Sequence, residues 1–208
     1  MPSSDQILSL SCTVVGVGPG GSTSMLARVA ITDFRGENIY ERYVAPTLQV
    51  TDYRTGVTGI TEEHLSRYSI FPLRRPVIDP CYAGTAYKFS QVQRQVADII
   101  RNKTIVGHQL WNDLSVLGIP HPAVDTRDVA LYQPFRNALN SPNHIVGLQS
   151  LCWHLMRRRC QDGQQNPIEN ARAALDLYRS HGTEWESAIR DGHWPCALPP
   201  STFARCYL

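Results

Sequence analysis

The sequence predicts an α/β domain in which a mixed, five-stranded sheet carries helices on both faces. Two observations lead to this prediction. The first third of the chain contains three apolar runs of strand length that are joined by short turns, which is typical of an antiparallel meander. Helical patterns then alternate with two further strands, and this order is typical of a sheet covered by helices on both sides.

Length and composition agree with a single domain that has its own core. The chain has 208 residues, of which 42% are hydrophobic and 18% charged. Its formal net charge of +2 is far below the positive balance of proteins whose binding is dominated by phosphate neutralisation. Charge alone therefore does not indicate a nucleic-acid partner.

The six cysteines show neither CxxC pairs nor the spacing of a zinc site, and the first residues show neither a signal peptide nor a membrane span. We therefore expect a soluble intracellular protein, cytoplasmic or nuclear, with reduced thiols and no membrane partner.

Three strands open the chain. The stretch "ILSLSCTVVGV", residues 7–17, is apolar and rich in β-formers, and it ends at the glycine-rich turn "GPGGS". "LARVAITDF", residues 26–34, alternates apolar and polar residues, and "RGEN" follows it as a hairpin turn. "IYERYVAP", residues 39–46, is the third strand and ends at a proline.

The remaining elements follow from helical periodicity and apolar runs. Thr61 is placed as the N-cap of a short helix, and Pro167 occupies a favourable first-turn position. The predicted helices are "TEEHLSRY" (61–68), "FSQVQRQVADIIRN" (89–102), "NDLSVLGI" (112–119), "GLQSLCWHLMRRR" (147–159) and "PIENARAALDLYRSHGTEWESAIRDG" (167–192), and the predicted strands are "KTIVGHQL" (103–110) and "AVDTRDVAL" (123–131).

The domain is expected to span residues 1–190. Residues 69–87 contain three prolines and a glycine and are interpreted as an irregular, proline-rich insertion, and residues 191–208 as a C-terminal tail.

Four blocks of the sequence resemble the DEDDh 3′-to-5′ exonucleases, in particular the RNA exonucleases of ribosomal RNA processing and antiviral defence. The blocks occur in the family's order and spacing, and the resemblance runs from about Leu8 to Arg179. It implies an RNase H-like fold. The blocks are "SCTVVGVG", "TDYRTGVTGI", "IVGHQLWNDLSVL" and "NPIENARAALDLYR".

The resemblance also implies a two-metal site, in which four acids hold two divalent ions and a histidine activates water. The four acid positions of the family fall on Ser11, Thr13, Asp113 and Asn170, and the histidine position falls on Gln165. Four of these five residues have lost the family's chemistry, because hydroxyl and amide oxygens carry no charge. We therefore expect a degenerate member with no metal and no other cofactor.

Other polar residues have structural interpretations. Asp113 is interpreted as the cap of a helix starting near Leu114, bonded to backbone amides, and His108 as a satisfied core histidine. His154 is expected to face a partner or solvent. Leu151, Leu155 and Met156 are expected in the core, and Arg157 to Arg159 at a solvated helix end.

Three functions stay open at this point. The first is a catalytically inactive exonuclease-like protein that binds single-stranded nucleic acid in a groove built from Val14, Val15 and Gly16, or binds a protein partner through the insertion and the tail aromatics Trp194, Phe203 and Tyr207; a homodimer is left open. The second is an enzyme repurposed for metal-independent chemistry on a small molecule, and the third is residual 3′-to-5′ exonuclease activity. The pocket of the second interpretation is lined by Ser11, Cys12, Thr13, Tyr53, His108 and Asp113.

Overall fold

A computed structural model describes residues 2–66 and 86–208. Within these residues a seven-stranded mixed sheet forms the centre, with the strand order β5-β3-β2-β1-β6-β7 and with β4 paired to the end of β1. The strands are β1 Ile7–Val17, β2 Thr23–Asp33, β3 Asn38–Ala45, β4 Val50–Asp52, β5 Tyr87–Lys88, β6 Thr104–Gly107 and β7 Thr126–Asp128.

The sheet confirms the predicted α/β class. Strands β1, β2 and β3 form an antiparallel meander, and β6 and β7 continue the sheet in parallel from the other side of β1. These are the five predicted strands. The two additional strands, β4 and β5, have three and two residues, which is too short for an alternating pattern to reveal them.

Seven α-helices lie in the described part of the chain. The helix near residue 112 begins two residues earlier than predicted, and two helices of four and six residues lie where none was predicted. The helices are α1 Thr55–Thr58, α2 Glu62–Leu65, α3 Phe89–Ile100, α4 Leu110–Leu117, α5 Gln133–Ala138, α6 Leu148–Met156 and α7 Pro167–Arg190.

Helices cover both faces of the sheet, as predicted. On one face, Leu10 of β1 packs with Val96 of α3 and Leu114 of α4, and all three side chains are fully or almost fully buried. On the other face, α6 and α7 form a second core with the sheet. Leu151 is fully buried in this second core, and Leu155 and Met156 pack against it, which confirms their predicted place.

The C-terminal segment, residues 191–208, packs onto the domain. The amide of His121 donates to the carbonyl of Cys206 at 3.0 Å, and the amide of Leu208 donates to the carbonyl of His121 at 3.1 Å. Phe203 and Tyr207 are partly buried against the core, so the prediction that they are surface aromatics is wrong, because backbone pairing draws the segment onto the domain. Trp194 is 42% exposed, as expected of a surface aromatic.

The proline-rich insertion predicted at residues 69–87 lies outside the described residues except for its last two positions, where Tyr87 belongs to β5. No helix in the described ranges is both long and apolar enough to cross a bilayer.

Candidate functional site

Strand β1 lies between the helices that carry the other positions of the exonuclease motifs. The hydroxyl of Ser9 donates to the carbonyl of Ala171 in α7 at 2.8 Å. The amide of Cys12 donates to Asp113 Oδ1 of α4 at 3.2 Å. The middle of β1 therefore touches α4 on one side and the first turns of α7 on the other, and these contacts bring together the positions that the resemblance singled out.

Ser11 and Thr13 lie on the face of β1 that contacts α7. Side chains alternate along a strand, so these two residues share a face with Ser9. Ser11 is half-buried and Thr13 is 5% exposed. Neither hydroxyl forms a hydrogen bond with another residue of the described ranges.

Asn170 lies in the first turns of α7, next in the chain to Ala171, which contacts β1, and Gln165 lies just before the helix. Asn166 caps the helix, because its Oδ1 accepts the amide of Ile168 at 2.9 Å. The amide of Gln165 donates to the carbonyl of Val57 in α1 at 2.7 Å, which ties this corner to α1. Asn170 Oδ1 accepts from the side-chain amide of Gln161 at 2.8 Å. Both motif positions therefore present uncharged, partly buried amide side chains.

Asp113 is buried within the first turns of α4. Its predicted role as the cap of a helix starting near Leu114 is wrong, because α4 begins at Leu110. The predicted bond to a backbone amide is present, but the amide belongs to Cys12 of β1. Burial raises the pKa of Asp113 well above its usual value, the Cys12 amide opposes this rise, and the nearby charge of Asp128 adds to it.

Asp128, at the carboxyl end of β7, holds the first turn of α4 in place. Its Oδ1 accepts the amides of Gln109 and Ala130, each at 2.9 Å, and its Oδ2 accepts the amide of Leu110 at 2.7 Å. These bonds hold Gln109 in a left-handed conformation with φ of 58°. Burial raises the pKa of Asp128 to about 7, against the opposing effect of the three amides.

Sequence reasoning missed this positioning role of Asp128. The stretch "AVDTRDVAL" contains two carboxylates, Asp125 and Asp128, and nothing in it distinguishes the one that holds α4. Asp128 sets where α4 begins and therefore where Asp113 reaches β1.

His108 has a structural environment. Its Nε2 donates to the carbonyl of Val146 at 2.8 Å, and burial lowers its pKa from the ordinary value. These contacts match the prediction of a satisfied core histidine. His154, on α6, is exposed, as expected.

The groove predicted from Val14, Val15 and Gly16 is largely closed. Val15 is fully buried in a cluster with Ile60. A Cβ on Gly16 would lie 2.7 Å from the carbonyl oxygen of Gly21, so the glycine permits a close approach of two backbone segments. Only Val14 of the three is partly exposed, and the prediction of a three-residue groove is therefore wrong.

The six residues proposed to line a small-molecule pocket do not share one surface. Cys12 lies on the face of β1 opposite to Ser11 and Thr13, packs against the core below α4, and has a pKa raised well above the usual value by burial. Tyr53 lies half-buried beside the Val15 cluster. The alternation of side chains along β1 splits the predicted pocket, so Cys12 does not line it.

Comparison with known proteins finds relatives that are named RNA exonucleases. The chain is 38% identical over 185 residues to RNA exonuclease 4 of Neurospora crassa and 37% identical over 184 residues to RNA exonuclease 4 of Homo sapiens, and each match covers 88% of the chain. It spans 41% and 39% of the length of these two relatives. The chain is related to the exonucleases. No protein-family model matches the sequence.

A solved structure shows the same fold. The Saccharomyces cerevisiae Pan2 pseudoubiquitin hydrolase-RNA exonuclease module in complex with A7 RNA matches with a TM-score of 0.68 and 25% identity. The match covers 92% of this chain and 31% of that chain. The RNase H-like fold expected from the exonuclease resemblance is thereby confirmed.

The residues at the five exonuclease positions do not fit two divalent ions. Magnesium and manganese in such sites are held by several carboxylate oxygens, and here Asp113 is the single carboxylate of the five. One of its oxygens already accepts the Cys12 amide. Within residues 2–66 and 86–208, no group of three or more histidine, cysteine, aspartate or glutamate side chains is arranged to hold a metal ion.

Proposed function

We propose that this chain binds single-stranded RNA in the cleft beside β1 without hydrolysing it. The observation that carries the proposal is the set of uncharged side chains at four of the five exonuclease positions, in a chain that keeps the exonuclease-like fold. Support for RNA as the ligand comes from the relatives, which are named RNA exonucleases, and from the Pan2 module, whose structure contains A7 RNA.

The electrostatics of the cleft favour binding over cleavage. Carboxylates at these positions would repel a phosphate backbone if no metal ions neutralised them, and Ser11, Thr13 and Asn170 remove that repulsion. Their hydroxyl and amide groups are also hydrogen-bond donors of the kind that contact phosphate and sugar oxygens.

The side chains at the exonuclease positions lack the groups that hydrolysis needs, a general base and a set of metal ligands. Gln165 has no titratable group and cannot take a proton from an attacking water. Asp113 alone cannot provide the negative ligands that offset the dehydration of two ions. Binding energy in this cleft is therefore not converted into bond cleavage.

The test is fluorescence anisotropy with 5′-labelled hepta-adenylate RNA in EDTA, over a series of salt concentrations. We expect saturable, salt-dependent binding by the wild type. Ser11→Asp/Thr13→Asp restores negative charge beside β1 and should weaken binding roughly tenfold or more. The matched control is Gln149→Glu/Ser150→Asp, which adds the same charge at exposed positions of α6.

Two results would contradict the proposal. Failure of the wild type to bind the RNA would remove RNA as the ligand. Equal weakening by the β1 pair and the α6 pair would show a response to net charge only, with no site beside β1.

A further inference from the structure

Two buried cysteines lie beside each other at the end of α6. Cys152 belongs to α6 and is 0% exposed, and Cys160 lies in the segment between α6 and α7 and is 2% exposed. Both side chains are part of the core that α6 and α7 form with the sheet. Both thiols are free, and neither is assigned to the cleft beside β1.

The end of α6 turns the chain back towards the helix. Arg157 adopts a left-handed conformation with φ of 54°. Its amide donates to the carbonyl of Trp153 at 3.0 Å, and the amide of Arg158 donates to the carbonyl of Cys152 at 3.3 Å. These two bonds form a Schellman motif, which ends a helix and redirects the chain. The chain that follows therefore brings Cys160 back to Cys152.

The two thiols interact directly, and their surroundings differ. Burial raises the pKa of Cys152 to about 12, and the Cys160 thiol adds to this rise. Burial also raises the pKa of Cys160, and the charges of Glu169 and Asp162 add to it, but a hydrogen bond with the Cys152 thiol and the charge of Arg158 oppose the rise. Cys160 therefore forms the reactive thiolate more readily than Cys152.

Cys160 is also the thiol that a small oxidant reaches more easily. Residues 157–166 form no helix or strand, and Arg159 and Asp162 near Cys160 are exposed. A segment without regular structure opens locally at a lower free energy than the core does. Opening of this segment exposes Cys160, whereas Cys152 is held within α6. The reaction with an oxidant should therefore begin at Cys160.

We propose that Cys152 and Cys160 form a reversible disulfide when hydrogen peroxide oxidises the chain. The Cys160 thiolate attacks one peroxide oxygen, the O–O bond breaks, and hydroxide leaves with the thiol proton as water, so that Cys160 becomes a sulfenic acid. The Cys152 sulfur then attacks the sulfenic sulfur, and the sulfenic hydroxyl leaves with the Cys152 proton as a second water. Two thiols are oxidised to one disulfide, and one peroxide is reduced to two waters. The proposal does not depend on RNA binding in the β1 cleft.

The disulfide ties the end of α6 to the segment that leads into α7. Gln161 follows Cys160 directly, and its side-chain amide donates to Asn170 Oδ1 at 2.8 Å. The cross-link therefore anchors a segment that contacts one of the exonuclease positions. A cross-link also lowers the entropy of the unfolded chain, so the oxidised protein should be more stable than the reduced protein.

The test uses trypsin, which separates the two cysteines because Arg157, Arg158 and Arg159 lie between them. Folded protein is treated with hydrogen peroxide, alkylated, digested and analysed by mass spectrometry without reduction. We expect the peptides 137–157 and 160–172 to be joined, and dithiothreitol should separate them. The oxidised protein should melt roughly 5 °C higher than the reduced protein.

Three variants locate the cross-link. Cys152→Ala removes the second thiol, so the joined peptides and the rise in melting temperature should disappear, and dimedone should label the sulfenic acid at Cys160. Cys160→Ala should also show no rise, and it decides the question if Cys152→Ala does not fold. Cys206→Ala is the matched control, because Cys206 is likewise buried, at 4% exposure, and this variant should keep the cross-link. The proposal is overturned if the wild type gives no joined peptides, if Cys206→Ala loses them, or if oxidation does not raise the melting temperature.

Discussion

The two sides of β1 differ in whether they carry carboxylates. On the α4 side, Asp113 and Asp128 are both buried; Asp113 accepts one backbone amide and Asp128 accepts three. On the α7 side, Ser11, Thr13 and Asn170 carry no charge. The exonuclease positions on the α7 side of β1 therefore present neutral oxygens, whereas the α4 side keeps two carboxylates.

This difference shows what a buried carboxylate needs in this fold. Burial penalises the charged form, and backbone amides oppose that penalty only in part, since the pKa values of Asp113 and Asp128 both stay raised. The exonuclease positions on the α7 side would depend on bound cations for the same compensation. Asp113 is accordingly explained by its bond to Cys12 of β1, without a metal ion.

The largest expected effect comes from a variant that restores acidic side chains at the exonuclease positions on the α7 side of β1. Ser11→Asp, Thr13→Glu, Gln165→His and Asn170→Asp together restore the exonuclease residues around β1. We expect manganese-dependent cleavage of single-stranded RNA, roughly a hundredfold or more above the wild-type background, because a two-metal site is regained. Denaturing gels of labelled RNA measure it. A folded quadruple variant without any cleavage would show that the cleft itself has been rebuilt.

The next effect concerns the anchor of α4. Asp128→Asn keeps one acceptor oxygen but cannot accept all three amides, so we expect a loss of about 2 kcal/mol in the free energy of unfolding. Urea denaturation at several pH values measures it. A loss below about 0.5 kcal/mol at pH 4, where the contribution of Asp128 is full, would contradict its positioning role.

The same variant has a predicted pH signature. The pKa of Asp128 is about 7 in the folded protein and about 3.9 when unfolded, so the folded state binds more protons between these values. Its contribution to stability is therefore full below pH 4 and is lost as the pH rises towards 7. The stability difference between wild type and Asp128→Asn should shrink over this window. The pKa values of His108 and His121 are lowered, so both affect the pH dependence of stability. They are present in the wild type and in the variant, and their effect cancels in the difference.

A smaller effect is expected at Asp113. Asp113→Ala leaves the Cys12 amide without its partner and should cost about 1 to 2 kcal/mol, whereas Asp113→Asn keeps an acceptor and should cost less. Millimolar manganese should not raise the melting temperature of the wild type. A saturable rise that disappears in Asp113→Ala would show that Asp113 binds a metal ion.

The smallest stability effect is expected at the two hydroxyls of β1. Ser11→Ala/Thr13→Ala removes groups that have no hydrogen-bond partner in the described structure, so the cost should be below about 1 kcal/mol. RNA affinity should nevertheless fall, because hydroxyls that line a site orient its ligand. Stability and RNA binding are measured side by side. Unchanged affinity would mean that the two hydroxyls have no role in binding.

Much of this comparison could be predicted from the sequence. Alternating residues along β1 placed Ser11 and Thr13 on one face, which is a local feature that periodicity reveals. The resemblance to the exonuclease motifs assigned Asp113 and Asn170 to two helices. Helix α5 and strand β4 were missed because six and three residues do not complete a recognisable pattern.

Contacts between distant segments could not be predicted in this way. The start of α4 depends on Asp128, which lies 18 residues after Leu110 in the chain. The burial of Val15 and Gly16 depends on the turn at Gly21 and on Ile60. The docking of Phe203 and Tyr207 depends on backbone pairing with His121. None of these has a signal in its own stretch of sequence.

The proposal that the chain binds RNA without cleaving it is tested most directly by measuring the length of RNA that is bound to the wild-type chain. Labelled hepta-adenylate is incubated with excess protein in manganese and in EDTA, and its length and its anisotropy are read from the same samples. We predict RNA that is bound and full-length in both. Stepwise shortening from the 3′ end in manganese, lost in EDTA and in Asp113→Ala, would contradict the account and show a working exonuclease.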